Sequence, residues 1–358
     1  MGATDERDIA RWRLHSQGLA SVRADDDAEA VRRLLGVQGE NHEQAMWAVA
    51  SRTTSPDRAR FERRFDQGAI VRTHVLRSTW HFVAANDLRW LRDVTEPRVR
   101  PQYRRAQAEE GLTDAVVERA LGVIERALTG GVHLTRDELG ERLAGILPKG
   151  RPMAVVLAHA ELDGLVCSGV RRGRNHTYAL LAERAPGGRR LDREEALAEL
   201  ALRYFTGHGP ATERDLAYWA TLTLADVRAG LRAVTDRLER FDLDGRTYWA
   251  GTSPPPASWR DDAHLLHLFD ELYRGYQDSR WALDADRLLP RARESILGLA
   301  IDDGQVIGRA RRHLERSRVR FEVHPVRPWT DDEHRRIADA AACCGRFLDL
   351  PAVVEIVG

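Results

Sequence analysis

Residues 34–49, LLGVQGENHEQAMWAV, begin and end on apolar side chains but carry Gln38, Gly39, Glu40, Asn41, His42, Glu43 and Gln44 between them. Carboxylates accept protons, and carboxamides both donate and accept hydrogen bonds, so such a run can hold a solvent molecule or a polar ligand. It also fits a solvated loop between two helices in which Glu40 caps the second. The residues alone leave both readings open.

Other reactive groups are few. His264, His267 and Asp270 in HLLHLFD imitate a metal-binding face. Three-residue steps drift around a helix, however, and no further ligand set accompanies them. They read as packing and helix-end chemistry, and no metal is expected. His81 in STWHFV ends a strand pair; its imidazole is a candidate contact to a phosphate or base edge, set against a packed histidine within a sheet. Cys167, Cys343 and Cys344 fit neither a disulfide framework nor a CxxC pattern and read as reduced thiols. With no glycine-rich phosphate loop, no HExxH and no cysteine cluster, no cofactor is expected.

The 55 basic and 55 acidic residues cancel, which argues against a uniformly basic nucleic-acid binder. The balance conceals basic clusters in PRVRPQYRR, GVRRGRN and GRARRHLERSRVR. Lys149 is the only lysine. Arginine forks suit phosphates, although a GC-rich genome also favours arginine. Arg171, Arg172 and Arg174 on one basic turn, and Arg309, Arg311, Arg312, Arg316 and Arg318 around a later strand pair, are the candidate phosphate contacts.

These groups must be positioned by a mainly α fold. Residues 5–17 have helical spacing of Ile9, Trp12 and Leu14, and DDDAEAVRRLLG places acids at a helix start and Val31, Leu34 and Leu35 on one stripe. EQAMWAVASRT resumes a helix, and AIVRTHVLRSTWHFV predicts paired strands. Helices leading into a hairpin predict a winged-helix unit over 1–108. The order recurs over 109–188, with three amphipathic helices before strands around the GVRRGRN turn. It recurs again over 189–252, ending at an Asp244-Gly245 turn. The prolines of SPPPAS punctuate the chain. Residues 253–358 predict a small β-rich unit with an Asp303-Gly304 hairpin and a closing helix, TDDEHRRIADAAACCGRFL. The charged N-terminus and the lack of any apolar run of about 18 residues predict a soluble, cytoplasmic chain without a membrane contact.

Five segments in order, LLGVQGENHEQAMWAV, VLRSTWHFVAANDLRWL, GPATERDLAYWATLTLADVRAGL, LLHLFDELYRGYQDSR and GQVIGRARRHLERSRVRFEVHP, resemble the AlkZ-type winged-helix DNA glycosylases along almost the whole chain. The resemblance implies tandem winged-helix units and a small C-terminal β-rich unit, C-shaped around a DNA channel. It implies a monofunctional enzyme, a monomer, that removes cationic N7- or N3-alkyl purines from double-stranded DNA, bulky or crosslinking lesions included, in alkylation repair or genotoxin resistance. Family members carry Gln-x-Gln or Gln-x-Asp after the second helix. Here the motif is Gln38-Gly39-Glu40, departing at the last position with the length of glutamine and the charge of aspartate.

On that resemblance, Glu40 stabilises an oxocarbenium-like sugar and accepts a proton from water, Gln38 fixes the water, and Gly39 lets the DNA backbone approach. Lys149 and the α-amino group are the only amines available for a Schiff base, which favours the hydrolytic route. A non-catalytic winged-helix DNA-binding protein, such as a regulator, is the alternative reading, because winged helices commonly bind duplexes without altering them.

Overall fold

The computed structural model describes residues 3–20, 23–255, 262–290 and 296–357. Pro256 to Ser258 of the proline-rich punctuation lie outside them. Helix α1 (Glu6–Ser16) is followed by α2 (Asp27–Leu34), β1 (Val37–Gln38), α3 (His42–Ala50), α4 (Arg58–Asp66), β2 (Ile70–His74) and β3 (Trp80–Ala84). The long α5 (Ala85–Glu109) leads to α6 (Asp114–Leu128), β4 (Leu134–Thr135), α7 (Arg136–Arg142), α8 (Arg151–Leu162), β5 (Val166–Ser168), β6 (Thr177–Leu180) and the short α9 (Leu181–Arg184). Then come α10 (Arg193–His208), α11 (Glu213–Trp219), α12 (Leu224–Arg232), β7 (Glu239–Leu243) and β8 (Arg246–Ala250). The C-terminal part holds β9 (His264–Leu266), α13 (Glu271–Arg274), β10 (Gly298–Asp302), β11 (Gln305–Leu314), β12 (Val319–Pro325), α14 (Asp331–Leu348) and β13 (Ala352–Ile356).

One order of elements, helix–strand–helix–helix–strand–strand, occurs twice, with sheets ordered β1-β3-β2 and β4-β6-β5. In the third block the equivalent first strand shrinks to a bridge, Ala211 to Trp249, beside the β7-β8 pair. The C-terminal sheet runs β13-β12-β11-β10-β9, antiparallel except for the parallel β12-β13 pair. Side-chain caps start most helices where polar residues meet apolar stripes: Asp26 accepts from the Glu29 amide, and Thr135, Asp192, Thr212, Thr223 and Thr330 form capping boxes. The Asp244-Gly245 and Asp303-Gly304 pairs take positive φ at both residues, as tight hairpin turns require.

The first block is wedged between two others. Val31, Leu34, Phe61, Phe65 and Phe82 share a core with Val319, Phe321, Ile337 and Phe347 of the C-terminal sheet and helix. Val71, Val83, Leu88 and Trp90 share another with Leu200, Tyr204, Phe205 and Trp219 of the third block. The second block has a core of its own around Ile124, Leu139 and Val156. Helix α1, read from sequence as the opening of the first block, instead buries Ala10 and Leu14 with Leu266, Leu272, Leu299 and Ile301. The helices preceding the first hairpin are therefore α2, α3 and α4. Among the described residues no helix is long and apolar enough to cross a membrane.

Candidate active site

The polar run is not a loop between two helices. Val37 and Gln38 form an edge strand paired with Phe82 and His81, and the Gly39 amide continues the ladder to the Trp80 carbonyl at 2.6 Å. Strand β1 ends at Gln38 and the backbone bends at Glu40. Helix α3 then starts on Asn41, whose carboxamide oxygen accepts from the Gln44 amide at 3.1 Å. Capping thus falls to Asn41, and Glu40 is left exposed with its Oε2 accepting from the Thr79 hydroxyl at 2.5 Å. Thr79 lies in the turn between β2 and β3, which brings the hairpin beside the motif.

Glu40 lines a cleft of about 950 Å³ together with Arg58 and Glu43 of the first block, Arg171, Arg174 and His176 of the second, and Arg312 of the C-terminal sheet. Four guanidinium groups from three separate parts of the chain thus face one space. Glu43 ties two of them: its Oε1 lies 2.6 Å from Arg171 Nη1 and its Oε2 3.1 Å from Arg58 Nη2. His42 and His176 pack against each other at the cleft wall, ring centroids 5.3 Å apart. Burial, and then the Arg171 charge, hold His42 at about 2; burial, and then Arg72 and Arg171, hold His176 at about 4. Both imidazoles are neutral at pH 7.

Gln38 is 9% exposed and stands on a buried polar network. Its backbone N–H, pointing away from β3, donates to Glu271 Oε1 at 2.9 Å, and its side-chain Oε1 accepts from Arg77 Nη2 at 3.3 Å. Arg77 also donates to His81 Nε2 at 3.1 Å, while the His81 Nδ1 proton meets the Thr79 carbonyl at 3.1 Å. Glu271 Oε2 accepts from the Trp219 indole at 2.7 Å, with His208 Nε2 at 3.8 Å. Burial alone would raise the Glu271 carboxyl, but the His208 imidazole and then the Arg77 charge outweigh it and hold it at about 2.

The other sequence candidates fall in varied places. His81 is fully buried, and burial, then Arg77, depresses it to about 3; it has no surface to offer a phosphate. Gly39 is buried as well: a Cβ there would meet Phe82 N, Arg72 Nε and the His81 carbonyl carbon at 3.5–3.6 Å, so its bare face is turned to the hairpin. Its carbonyl accepts from Arg72 Nε at 2.8 Å. Arg172 is exposed but pairs with Glu138 at 2.6 Å. Arg309 is half-buried on β11 opposite His324, and Arg311 is exposed beside Arg312 at a second, smaller pocket. Arg316 and Arg318 are exposed on the turn after β11, Arg318 paired with Glu315 at 2.7 Å. His264 lies on β9 rather than a helix, and Asp270 caps α13 and pairs with Arg52 at 2.7 Å.

Arg58, Arg77, Thr79, Glu271 and Trp219 were not singled out by sequence reasoning. Arg77 and Thr79 sat within the quoted RSTWH stretch beside His81, a usable signal. Trp219 lies 179 residues beyond Glu40 and Glu271 further still, where no local pattern connects them to the motif.

The family model described as DNA glycosylase AlkZ-like matches residues 31–347. The interstrand DNA cross-link repair glycosylase of Streptomyces sahachiroi is 28% identical over 333 residues, covering 84% of this chain and 86% of that protein. The solved structure of Streptomyces sahachiroi DNA glycosylase AlkZ superposes with a TM-score of 0.79 at 24% identity, both chains covered in full, a likeness of fold. A family match over most of the chain, on a fold that sets Glu40 of the Gln38-Gly39-Glu40 motif at its cleft, makes this protein a member of the AlkZ-like DNA glycosylase family.

Proposed function

We propose that this DNA glycosylase hydrolyses the N-glycosidic bond of cationic N7- or N3-alkylated purines in duplex DNA, bulky and crosslinking adducts included, with Glu40 directing the attacking water. The relative named for interstrand cross-link repair supports the lesion class. The observation that carries the mechanism is the position of Glu40, an exposed carboxylate held by Thr79 on the wall of a cleft that four arginines line.

An alkylated purine with a formal positive charge leaves readily, so the protein's task is the sugar. A carboxylate on the open face of the deoxyribose offsets the oxocarbenium charge and accepts a proton as water adds. Gln38 supplies the second contact. Arg77 can only donate, so it takes the carboxamide oxygen and leaves the amide N–H groups to hold the water oxygen. The arginines would seat phosphates on either side of the lesion. Lys149 lies on an exposed turn before α8, in keeping with a monofunctional route that uses no amine nucleophile. The repeated order of elements supports a tandem winged-helix array, its first unit running from α2 to residue 108 and the others over 109–188 and 189–252, with a C-terminal unit over 253–358 against which α1 packs, C-shaped around one duplex and acting as a monomer in the cytoplasm.

The test is base release from duplexes carrying N7-methylguanine, and from genomic DNA treated with bulky alkylators, compared with Glu40→Ala, since Glu40→Gln would restore the Gln-x-Gln form of the motif. Loss of the carboxylate should slow release by about 10²- to 10⁴-fold while DNA affinity changes little. Equal release by the two proteins removes Glu40 from the reaction. DNA binding without release by either leaves a DNA-binding protein alone.

A further inference from the structure

We infer that Glu271, outside the motif and in the C-terminal unit, is a positioning residue for excision: it fixes the end of β1 that leads into Glu40 and the Arg77 side chain that orients Gln38. This rests on the reading of Gln38 and Glu40 given above.

Strand β1 is the edge of its sheet, and the Gly39 amide bonds β3. Alternation along the strand turns the Gln38 N–H outward, where a buried amide without an acceptor would be unfavourable. Glu271 Oε1 meets it at 2.9 Å. The same oxygen lies 3.6 Å from Arg77 Nη2, the atom that reaches Gln38 Oε1 at 3.3 Å and His81 Nε2 at 3.1 Å. One carboxylate therefore holds the motif by its backbone and, through Arg77, by its side chain. Its other oxygen is anchored by the Trp219 indole at 2.7 Å. Glu271 and Trp219 are both fully buried, so solvent cannot substitute for either contact.

A fully buried carboxylate is a poor means of stabilising a core; apolar replacements of similar volume often serve as well or better. Glu271 instead joins the first hairpin, the third block and the C-terminal unit at the one strand whose placement sets the water-holding pair. Sub-ångström placement matters there, since a misplacement of about 1 Å can reduce a rate by roughly 10²-fold.

The experiment is single-turnover release of N7-methylguanine at saturating protein, with duplex affinity and thermal unfolding measured alongside. Glu271→Gln keeps the volume but has one acceptor oxygen for two donors and no charge for Arg77. Excision should fall by about 10- to 100-fold while affinity holds within about twofold. Combined with Gln38→Ala it should cost less than it does alone, since the share carried through Arg77 to the Gln38 side chain is already gone while the share carried by the Gln38 backbone persists. Wild-type excision by Glu271→Gln, or a double variant whose loss is the product of the two single losses, overturns the inference. Should Glu271→Gln not fold, Trp219→Phe carries the test by removing one anchor. It should slow excision by about 3- to 10-fold, and an unchanged rate overturns the inference equally. Full activity in Glu40→Ala would sink the parent mechanism, whereas a dead Glu40→Ala beside a fully active Glu271→Gln sinks this inference alone.

Discussion

Replacing Glu43 by glutamine should tighten the grip on DNA. Glu43 holds Arg171 at 2.6 Å and Arg58 at 3.1 Å, and all three line the cleft. A phosphate entering that space must compete with this carboxylate. Glu43→Gln removes the competitor and frees up to two guanidinium groups. Each phosphate neutralised on duplex DNA contributes about 0.9 to the slope of log affinity against log salt. One freed arginine therefore makes the affinity lost between about 50 and 200 mM salt larger by roughly 3.5-fold, and two by roughly 12-fold. The accompanying loss of stability is modest. Partly exposed ion pairs are worth about 0.2–1 kcal/mol each, and an acid in the first turn of α3 about 0.3–1 kcal/mol. Fluorescence anisotropy of a labelled duplex across a salt series, with thermal unfolding as control, reads both effects. Stronger binding at low salt with a steeper slope is expected. Weaker binding, or an unchanged slope, would show that Arg58 and Arg171 are not phosphate ligands and that the electrostatic account of the cleft is wrong.

Two further outcomes concern stability. Burial is the main cause holding His81 at about 3, His42 at about 2 and His176 and His267 at about 4. The unfolded chain takes up protons on these rings below about pH 6.5 while the folded protein does not, so stability complete above that pH drains away as pH falls toward the folded values. Urea midpoints measured from about pH 7.5 down to about pH 5 should decline steadily, and a flat midpoint would mean the imidazoles titrate as exposed ones. Arg52 and Asp270, 2.7 Å apart and 1% and 2% exposed, tie the end of α3 to the start of α13. Arg52→Ala strands the Asp270 charge in the interior and should destabilise by about 3–5 kcal/mol in urea unfolding; a loss under about 1 kcal/mol would show that water reaches Asp270.

What could be read along the chain was what neighbouring residues decide. Apolar spacing and capping residues marked α2, α6, α7, α10 and α14, and Asp-Gly pairs marked the turns of β7-β8 and β10-β11, because each depends on contacts within a few residues. Strand β1 escaped this reading: two residues carry no period, and its partner β3 begins 42 residues further on at Trp80. Helix α5 escaped it because Pro97 and Pro101 sit inside the helix, where proline normally signals a break. Helix α4 had a readable pair in Phe61 and Phe65 among six charged residues and an alanine, too sparse a stripe to stand out.

The sequence by itself determined the reagents: an acid and an amide two positions apart, a surplus of arginine, a single lysine, and the family order of motifs. Tertiary structure alone decided their company. It laid the amide on the edge of a sheet with the acid just past the strand's end, buried His81 and Gly39 beside them, gathered arginines from three parts of the chain at one cleft, and brought Glu271 to the Gln38 amide across 233 residues. Such pairings follow from packing blocks against shared cores, and the free energy of that packing belongs to no local stretch of residues.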